Sequence, residues 1–292
     1  MGDPLADVIG LLRPRAVLYK HLGGSGSWQV RFAGNRDIVF SLVTAGSCQL
    51  FTAAGPIELT TGDFVLGAAP SDVALGSDPT AIAIDGDTAD WSVPDPEATT
   101  RLIAGHFVLD ATNAPLLIGL LPGFVHLRGT DDTTDRISRL LAMIGDEAQA
   151  DRPGADIVLE RLVQVMLIEA LRGGARPDGL LSGLADPSVA AALRALHADV
   201  ARPWTVAGLA HTVNLSRSAL AQRFTTHVGT SPMEYLLSWR MALARDALAR
   251  GHRNLPAIAS AVGYGSASAF STAFNRQHGV SPGRYRDLHR DD

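Results

Sequence analysis

Cysteine is almost absent from this sequence of 292 residues, in which Cys48 is the only one. A single cysteine excludes an intramolecular disulfide and any zinc site built from several thiolates. No apolar run approaches the roughly 18–20 residues that cross a bilayer, so no membrane span is expected. The N-terminus has acids before its short apolar patch and no small-residue cleavage site, which argues against a secretory signal. These absences predict a reduced, soluble protein of the cytoplasm.

Signatures of catalysis are also missing. The sequence contains no nucleophile elbow, no paired-carboxylate constellation and no dinucleotide fingerprint. The histidines of the first half, His21, His106 and His126, are far apart and lack the spacing of metal ligands. We therefore expect a protein that is not an enzyme and that has no catalytic residue, cofactor or metal.

Charge is distributed unevenly along the chain. The whole sequence carries a formal charge of −5 with a pI of about 6.0, which by itself argues against nucleic acid as a partner. Residues 1–185 hold 13 basic and 23 acidic side chains, a net of −10, whereas residues 186–292 hold 12 and 7, a net of +5. Two ordinary globular halves would also allow such scatter. The asymmetry nevertheless indicates an acidic body joined to a nucleic-acid-binding module.

The first half shows a β-strand rhythm followed by helical patterns. From residue 16 to about 109, short apolar runs such as DIVFSLV and RLIAGHFVL alternate with turns, which predicts a sandwich or barrel. A short apolar helix is predicted at 113–121, and amphipathic helices at 131–150 and 154–174. The Gly- and Pro-rich stretch that follows predicts a linker over 176–185, between domains at 1–175 and 186–292.

Aromatic residues of the strand region either line an effector pocket or fill a core, and the sequence leaves both interpretations open. They are Trp28, Phe32, Phe40, Phe51 and Trp91. Cys48 lies in the apolar strand SCQLF, which favours a buried, inert thiol. An exposed thiol of lowered pKa would instead make the chain a redox sensor.

The second half is helical and contains an internal repeat. LSRSALAQRFTTHVGTSP (215–232) matches YGSASAFSTAFNRQHGVSP (264–282), with an offset of 50 from the serine onward and 49 before it. Each copy has the pattern of a helix-turn-helix, in which a short apolar helix supports a second helix that lies in the major groove. A plain helical bundle with a duplicated hairpin is the alternative. Matching caps, anchors and Gly-x-Ser-Pro ends on a basic module favour DNA binding.

The outward positions of each second helix are the candidate DNA contacts. In the first copy they are Ser216, Arg217, Ser218, Gln222 and Arg223, and Arg and Gln are residues that make paired hydrogen bonds to base edges. In the second copy they are Ser266, Ala267, Ser268, Ser271, Thr272, Asn275 and Arg276, whose short side chains predict weaker base reading. A helix from about Met233 to Arg250 would join the copies and hold them about one turn of DNA apart. Arg240 and Arg253 are candidate phosphate contacts or salt-bridge partners.

Residues 186–287 resemble the AraC/XylS type of transcriptional regulator. The motifs that carry this resemblance are LSRSALAQRF, G-x-SPMEYL, WRM-x-x-A, IA-x-x-VGY and AFSTAF…G-VSPGRYR. Upstream segments such as FVLGA and LIAGHFVLD are similar to the cupin-like N-terminal domain of such regulators. The chain departs from the family at Gln222 and Thr272, where arginine is common. It also has Val39, Phe40 and Ser41 where metal-binding cupins carry histidines.

The resemblance implies a two-domain α+β protein, with a cupin-like barrel or sandwich followed by helices and an all-α domain carrying two helix-turn-helix motifs. It implies double-stranded promoter DNA and RNA polymerase as partners, activation rather than repression, and control by a small-molecule effector or by homodimerisation through the N-terminal domain. The alternatives are a metal-dependent cupin enzyme with a regulatory DNA-binding tail and a redox regulator that acts through Cys48.

Overall fold

The chain divides into two compact units. The computed structural model describes residues 2–12, 16–32, 38–52, 55–68, 73–85, 97–108, 124–150, 152–174, 179–251 and 254–289. The first unit, here called the strand unit, comprises residues 13–110 and 123–175. The second, here called the helical unit, comprises residues 1–12, 111–122 and 176–292. No helix of the described part of the chain is long and apolar enough to cross a membrane.

The described strands of the strand unit form two five-stranded sheets. Their bounds are β1 Ala16–Gly24, β2 Gln29–Phe32, β3 Ile38–Ala45, β4 Ser47–Thr52, β5 Gly55–Thr60, β6 Phe64–Ala68, β7 Val73–Gly76, β8 Ala83–Asp85, β9 Thr100–Val108 and β10 Phe124–Leu127. One sheet has the order β1-β9-β3-β6-β10 and the other β5-β4-β7-β2-β8. The pairing of β2 with β8 is parallel, and the other described pairings are antiparallel.

The two sheets share one hydrophobic core. Val43, Val65 and Leu102 of the first sheet pack in the same cluster as Leu50 and Leu75 of the second. Residues two apart on a strand face the same side, so this alternation buries one face of each sheet. Helices α2 (Asp132–Gln149) and α3 (Ala155–Gly173) follow the strands and pack against each other. The predicted strand domain followed by two amphipathic helices is confirmed, while the helix predicted at 113–121 lies outside the described residues.

The helical unit contains both helix-turn-helix copies. Its described helices are α1 Pro4–Leu12, α4 Leu180–Ala185, α5 Pro187–Ala198, α6 Val206–Thr212, α7 Arg217–Val228, α8 Pro232–Ala249, α9 Leu255–Ala261, α10 Ala267–His278 and α11 Pro282–Leu288. The predicted all-α module with two short hairpins joined by a long helix is thereby confirmed. The stretch predicted as a linker contains helix α4, which packs on α5 and α7. The boundaries 1–175, 176–185 and 186–292 stay a prediction.

Helix α1 packs on α5 and α8, although its sequence lies far from theirs. Its apolar face, which includes Val8 and Leu12, is fully buried. Asp7 Oδ2 lies 2.9 Å from Nδ1 of the buried His197, whose Nε2 lies 2.8 Å from the Tyr235 hydroxyl. Burial lowers the pKa of His197 and outweighs the opposing effect of Asp7. A neutral imidazole fits both contacts, since Nδ1–H donates to the carboxylate while Nε2 accepts from the tyrosine.

The two copies repeat the same backbone chemistry at their turns. After α6, Leu215 N–H donates to the Ala210 carbonyl, and after α9, Tyr264 N–H donates to the Ala259 carbonyl, 49 residues further along. This bond needs a left-handed residue between the helices, and Asn214 (φ 55°) and Gly263 (φ 83°) fill that position. Side-chain caps also recur in both copies, at Thr205 and Asn254, Ser216 and Ser266, and Ser231 and Ser281. The sequence repeat is therefore a structural repeat.

An aromatic pair anchors the second helix of each copy. Phe224 meets Tyr235 edge to face with centroids 5.8 Å apart, and Phe274 meets Tyr285 in the same way at 5.5 Å. Each tyrosine hydroxyl contacts a side chain of another helix: that of Tyr285 accepts from Arg245 Nε at 3.1 Å, and that of Tyr235 lies 2.8 Å from His197 Nε2. Helix α8 supports both copies, because Tyr235 lies near its start and Met241, Ala244 and Leu248 pack in the core of the second copy.

The two turns should respond differently to substitution. A Cβ at Gly263 would lie 2.7 Å from the Ala201 carbonyl oxygen and 2.7 Å from Arg240 Nη2, in addition to the strain of a positive φ. We expect Gly263→Ala to lower the free energy of unfolding by about 1–2 kcal/mol or more. Asn214→Gly should leave it unchanged or raise it, because glycine adopts this conformation readily. Thermal unfolding followed by circular dichroism measures both, and equal stability of the two variants would contradict the assignment.

Candidate nucleic-acid interface

Helix α7 buries one side and exposes the side on which the sequence places the DNA contacts. Ser216 caps the helix by accepting from Ala219 N–H at 3.2 Å, and Leu220 and Phe224 are fully buried. The remaining candidates, Arg217, Ser218, Gln222 and Arg223, are exposed. Within the described part of the chain, the side chains of Arg217 and Gln222 have no hydrogen-bond or ion-pair partner. Their donors are therefore available to an external ligand.

Arg223 differs from its neighbours, because its guanidinium is already bound. Its Nε donates to Oδ2 of Asp186 at 2.7 Å, and the side chain is 51% exposed while that of Asp186 is 6% exposed. The other carboxylate oxygen caps α5 by accepting from Ser188 and Val189 N–H. Burial raises the pKa of Asp186, but the hydrogen bonds from Val189 and Arg223 outweigh it, so the pKa lies below its usual value. Asp186 is therefore ionised and paired at neutral pH.

Helix α10 presents shorter and partly occupied side chains. Ser266 caps it through Ala269 N–H at 3.1 Å. Ser271 and Thr272 donate their hydroxyls to the carbonyls of Ala267 and Ser268, at 2.7 and 3.1 Å. Those hydroxyls keep only acceptor capacity for a ligand. Asn275 and Arg276 are exposed at the other end of the helix, and among the described residues their side chains have no partner.

Arg240 is held within the helical unit rather than presented outward. Its Nε donates to the Val200 carbonyl at 2.9 Å, and its Nη2 donates to the Arg202 carbonyl at 2.8 Å. Burial lowers its pKa, and its contacts fasten α8 to the loop after α5. These hydrogen bonds account for Arg240 without a phosphate ligand. Its contact with a DNA phosphate therefore stays a prediction. Arg253 lies outside the described residues.

The predicted effector pocket corresponds only in part to a cavity. A cavity of about 30 Å³ lies between the sheets, and Phe40 is the member of the predicted aromatic set that lines it. Trp28 packs at the edge of the core and Phe51 is half-buried, while the side chain of Phe32 and all of Trp91 lie outside the described residues. The cavity walls are otherwise aliphatic or glycine, apart from Phe124 and Ser41. The Ser41 hydroxyl is buried and has no hydrogen-bond partner among the residues that the structure describes.

The described residues of the strand unit bear on the two alternative functions, a metal-dependent enzyme and a redox regulator. Across the described ranges, no three His, Cys, Asp or Glu side chains lie close enough together to hold a metal ion. His126 contacts Asp63 at 3.3 Å, where it helps to satisfy a buried carboxylate. Cys48 is buried, and burial together with the nearby charge of Asp63 raises its pKa to about 12. A thiol in that state is protonated at neutral pH and is a poor redox sensor.

Comparison with known proteins matches both units to established families. A cupin family model matches residues 3–175, and a helix-turn-helix domain model matches residues 209–287. A putative AraC-like transcription regulator of Streptomyces lividans is 39% identical, over 97% of this chain and 98% of its own length. The chain belongs to the AraC-like family of transcription regulators. The resemblance of the motifs to AraC-type regulators is thereby confirmed. The exposed face of α7 is the candidate DNA-contact surface of the helix-turn-helix domain.

A further relative and a solved structure are less similar to this chain. The HTH-type transcriptional regulator AlkR of Acinetobacter baylyi is 35% identical over 176 residues, 58% of this chain and 58% of its own. The crystal structure of ToxT from Vibrio cholerae covers 95% of this chain and 98% of its own at 14% identity, with a TM-score of 0.38. The family assignment rests on the sequence matches.

Two histidines of the helical unit make its stability depend on pH. Burial lowers the pKa of His278 to about 4, and the charge of Arg245 acts in the same direction. Burial also lowers the pKa of His197. The unfolded chain takes up these protons below about pH 6.5, so stability is lost as the pH falls from about 6.5 towards 4. We expect His278→Gln to reduce that loss, measured as the difference in urea midpoint between pH 7.5 and 5.0. The exposed His211→Gln is the control, and an equal effect of both variants would contradict this origin.

Proposed function

We propose that this regulator reads double-stranded promoter DNA with α7 and α10, and that the base preference comes mainly from Arg217, Ser218 and Gln222. The observation that carries this proposal is the repeated helix-turn-helix with two long side chains, exposed on α7, that have no partner among the described residues. Arginine and glutamine each offer paired donors or a donor and an acceptor to base edges. Asn275 and Arg276 of α10 supply additional contacts, while its hydroxyls contribute mainly through their acceptor lone pairs.

The output that we propose is activation of transcription. The family resemblance implies it, together with contact to RNA polymerase and a location in the cytoplasm, where promoter DNA lies. In a purified transcription reaction on a promoter that the protein selects, activation requires more transcript when the protein is added. The acidic strand unit, with most of the net −10 of residues 1–185, repels the phosphate backbone and so favours binding through the smaller basic module.

Homodimerisation is proposed to occur through the helices of the strand unit. Ile157 and Val165 on α3 are 65% and 46% exposed, and Met143 on α2 is 54% exposed. Ile157, Arg161 and Val165 are spaced four apart, so the two apolar residues lie along one face of α3. Large apolar side chains exposed together mark an interaction surface. A second copy of the same chain would cover them, and a dimer would select DNA that contains two half-sites.

The effector that we propose is a small apolar molecule with one hydrogen-bonding group. The cavity is walled by Val39, Leu50, Val65 and Leu75, which favour hydrocarbon. Ser41 is 3% exposed and its hydroxyl has no partner in the described part of the chain, so it is the group that would recognise a single polar atom. An unsatisfied buried hydroxyl costs about 1–3 kcal/mol, which a matching ligand would recover. At about 30 Å³ the cavity takes only a short molecule unless the sheets separate.

Replacement of the reading residues should change which bases are preferred. The full chain is first used to select duplexes from a random DNA library. Arg217→Ala and Gln222→Ala should each weaken binding to the selected duplex by about 1–3 kcal/mol and relax the preference at one base position. Arg284→Ala, an exposed arginine on α11, is the matched control and should not relax any position. Uniform weakening on all sequences by the α7 variants would show phosphate contact and contradict base reading.

The chemistry of the cavity can be tested with simple probes. A series of short primary alcohols and the alkanes of equal length is added to the full chain, and the unfolding temperature is recorded. We expect the alcohols to stabilise the protein more than the alkanes, since only they can pair with the Ser41 hydroxyl. Ser41→Ala should abolish that difference without lowering the stability of the free protein, because the hydroxyl has no partner to lose. An alcohol preference that persists in Ser41→Ala would contradict the assignment.

A further inference from the structure

The pair formed by Asp186 and Arg223 exists in one helix-turn-helix copy only. The repeat places Ala273 at the position of Arg223 in the second copy, so α10 has no equivalent side chain. In the first copy, the pair joins the N-terminus of α5 to the middle of the reading helix α7. The contact is direct, with 2.7 Å between Arg223 Nε and Asp186 Oδ2.

Further contacts join the segment that precedes α5 to the same face of α7. Arg223 and His227 are four residues apart, so they lie on one helix face, and His227 Nε2 lies 3.7 Å from Asp186 Oδ2. Ser182 Oγ lies 3.0 Å from His227 Nδ1, and Gly179 N–H donates to the His227 carbonyl at 2.9 Å. A Cβ at Gly183 would lie 2.8 Å from Val228 Cγ2, so α4 and α7 pack closely. The end of the predicted linker is thus built onto the reading helix.

Arg223 has little freedom to leave this pair for a DNA base. Asp186 is buried, and removal of the guanidinium would take away the nearest cation of a buried carboxylate, which is unfavourable, since the His227 ring lies further off at 3.7 Å. Ser218 and Gln222 are also four residues apart, on the neighbouring face of α7, and that face is exposed. The polar residues of α7 therefore lie on two faces. One face contacts the rest of the helical unit, and the other is exposed and accessible to DNA.

We propose that Asp186 is a positioning residue for DNA recognition, which acts through Arg223 to fix the orientation of α7, and that Arg223 does not itself read a base. This inference rests on the proposed reading of DNA by α7. It assigns Asp186 an effect on sequence discrimination although it need not touch DNA. It also distinguishes Arg223 from Arg217 and Gln222, with which the sequence pattern groups it.

A double-mutant cycle in the full chain tests the inference. Asp186→Asn removes the charge but keeps the helix cap, since asparagine caps as well as aspartate does, and Arg223→Met keeps most of the side-chain stem. Binding is measured by fluorescence anisotropy on a duplex selected by the wild type and on a random-sequence duplex. Each single variant should weaken the selected duplex roughly tenfold, about 1.4 kcal/mol, and the double variant should lose no more than either. The random duplex and the preferred bases should not change.

The control is a second cycle on an ion pair with an arginine of similar exposure. Arg250, the C-cap of α8, has its Nε 3.0 Å from Asp246 Oδ2, and its side chain is 53% exposed, close to the 51% of Arg223. Asp246→Asn and Arg250→Met should leave both duplexes bound as in the wild type. Asp186→Ser also keeps a cap and should reproduce Asp186→Asn, which guards against a folding defect peculiar to one substitution.

Several outcomes would overturn the inference. If Arg223→Met changes the preferred base at one position, while Asp186→Asn does not and the losses add, Arg223 is a base reader. If both duplexes are weakened equally and the unfolding temperature falls, the pair only stabilises the fold. A wild-type chain that selects no DNA would overturn the proposed function together with this inference, whereas loss of coupling in a chain that selects DNA overturns the inference alone.

Discussion

The buried carboxylate of Asp186 must be satisfied on both oxygens, and the groups that satisfy it belong to two different helices. One oxygen accepts the first free N–H groups of α5, and the other binds the guanidinium of α7. A buried charge that loses such partners is strongly destabilising, so the relative placement of the two helices is restricted. The face of α7 that is exposed, which we propose to read DNA, follows from this restriction.

Much of the helical unit was predictable from sequence because its constraints are local. Neighbours within one or two helical turns determine the caps, the apolar support faces and the buried phenylalanine of each copy. The repeat strengthened each assignment, since Ser216 and Ser266, or Phe224 and Phe274, fill equivalent positions in both copies. The strand rhythm was equally readable, because alternate residues of each sheet face one core.

The features that sequence reasoning missed depend on contacts between distant residues. Asp186 was visible only as part of an Asp-Pro pair, a common start of a helix, and nothing local pointed to Arg223 as its partner. Arg240 was a candidate for a phosphate contact or a salt bridge, whereas it donates hydrogen bonds to loop carbonyls 38 and 40 residues away. The cavity lies between two sheets, so its lining depends on strand pairing. Of the aromatic residues proposed from the sequence and described by the structure, Phe40 belongs to that lining.

Helix α1 has a consequence for how the protein is made. Asp7 and His197 are 190 positions apart, and the apolar face of α1 packs on helices of the C-terminal half. At the usual 5–20 residues per second of synthesis, about 10–40 s separate the emergence of α1 from that of α5. During that interval Val8, Ile9 and Leu12 lack the surface that finally buries them. The nascent chain therefore exposes an apolar helix to which chaperones can bind. The helical unit is complete only after α1 has packed against α5 and α8.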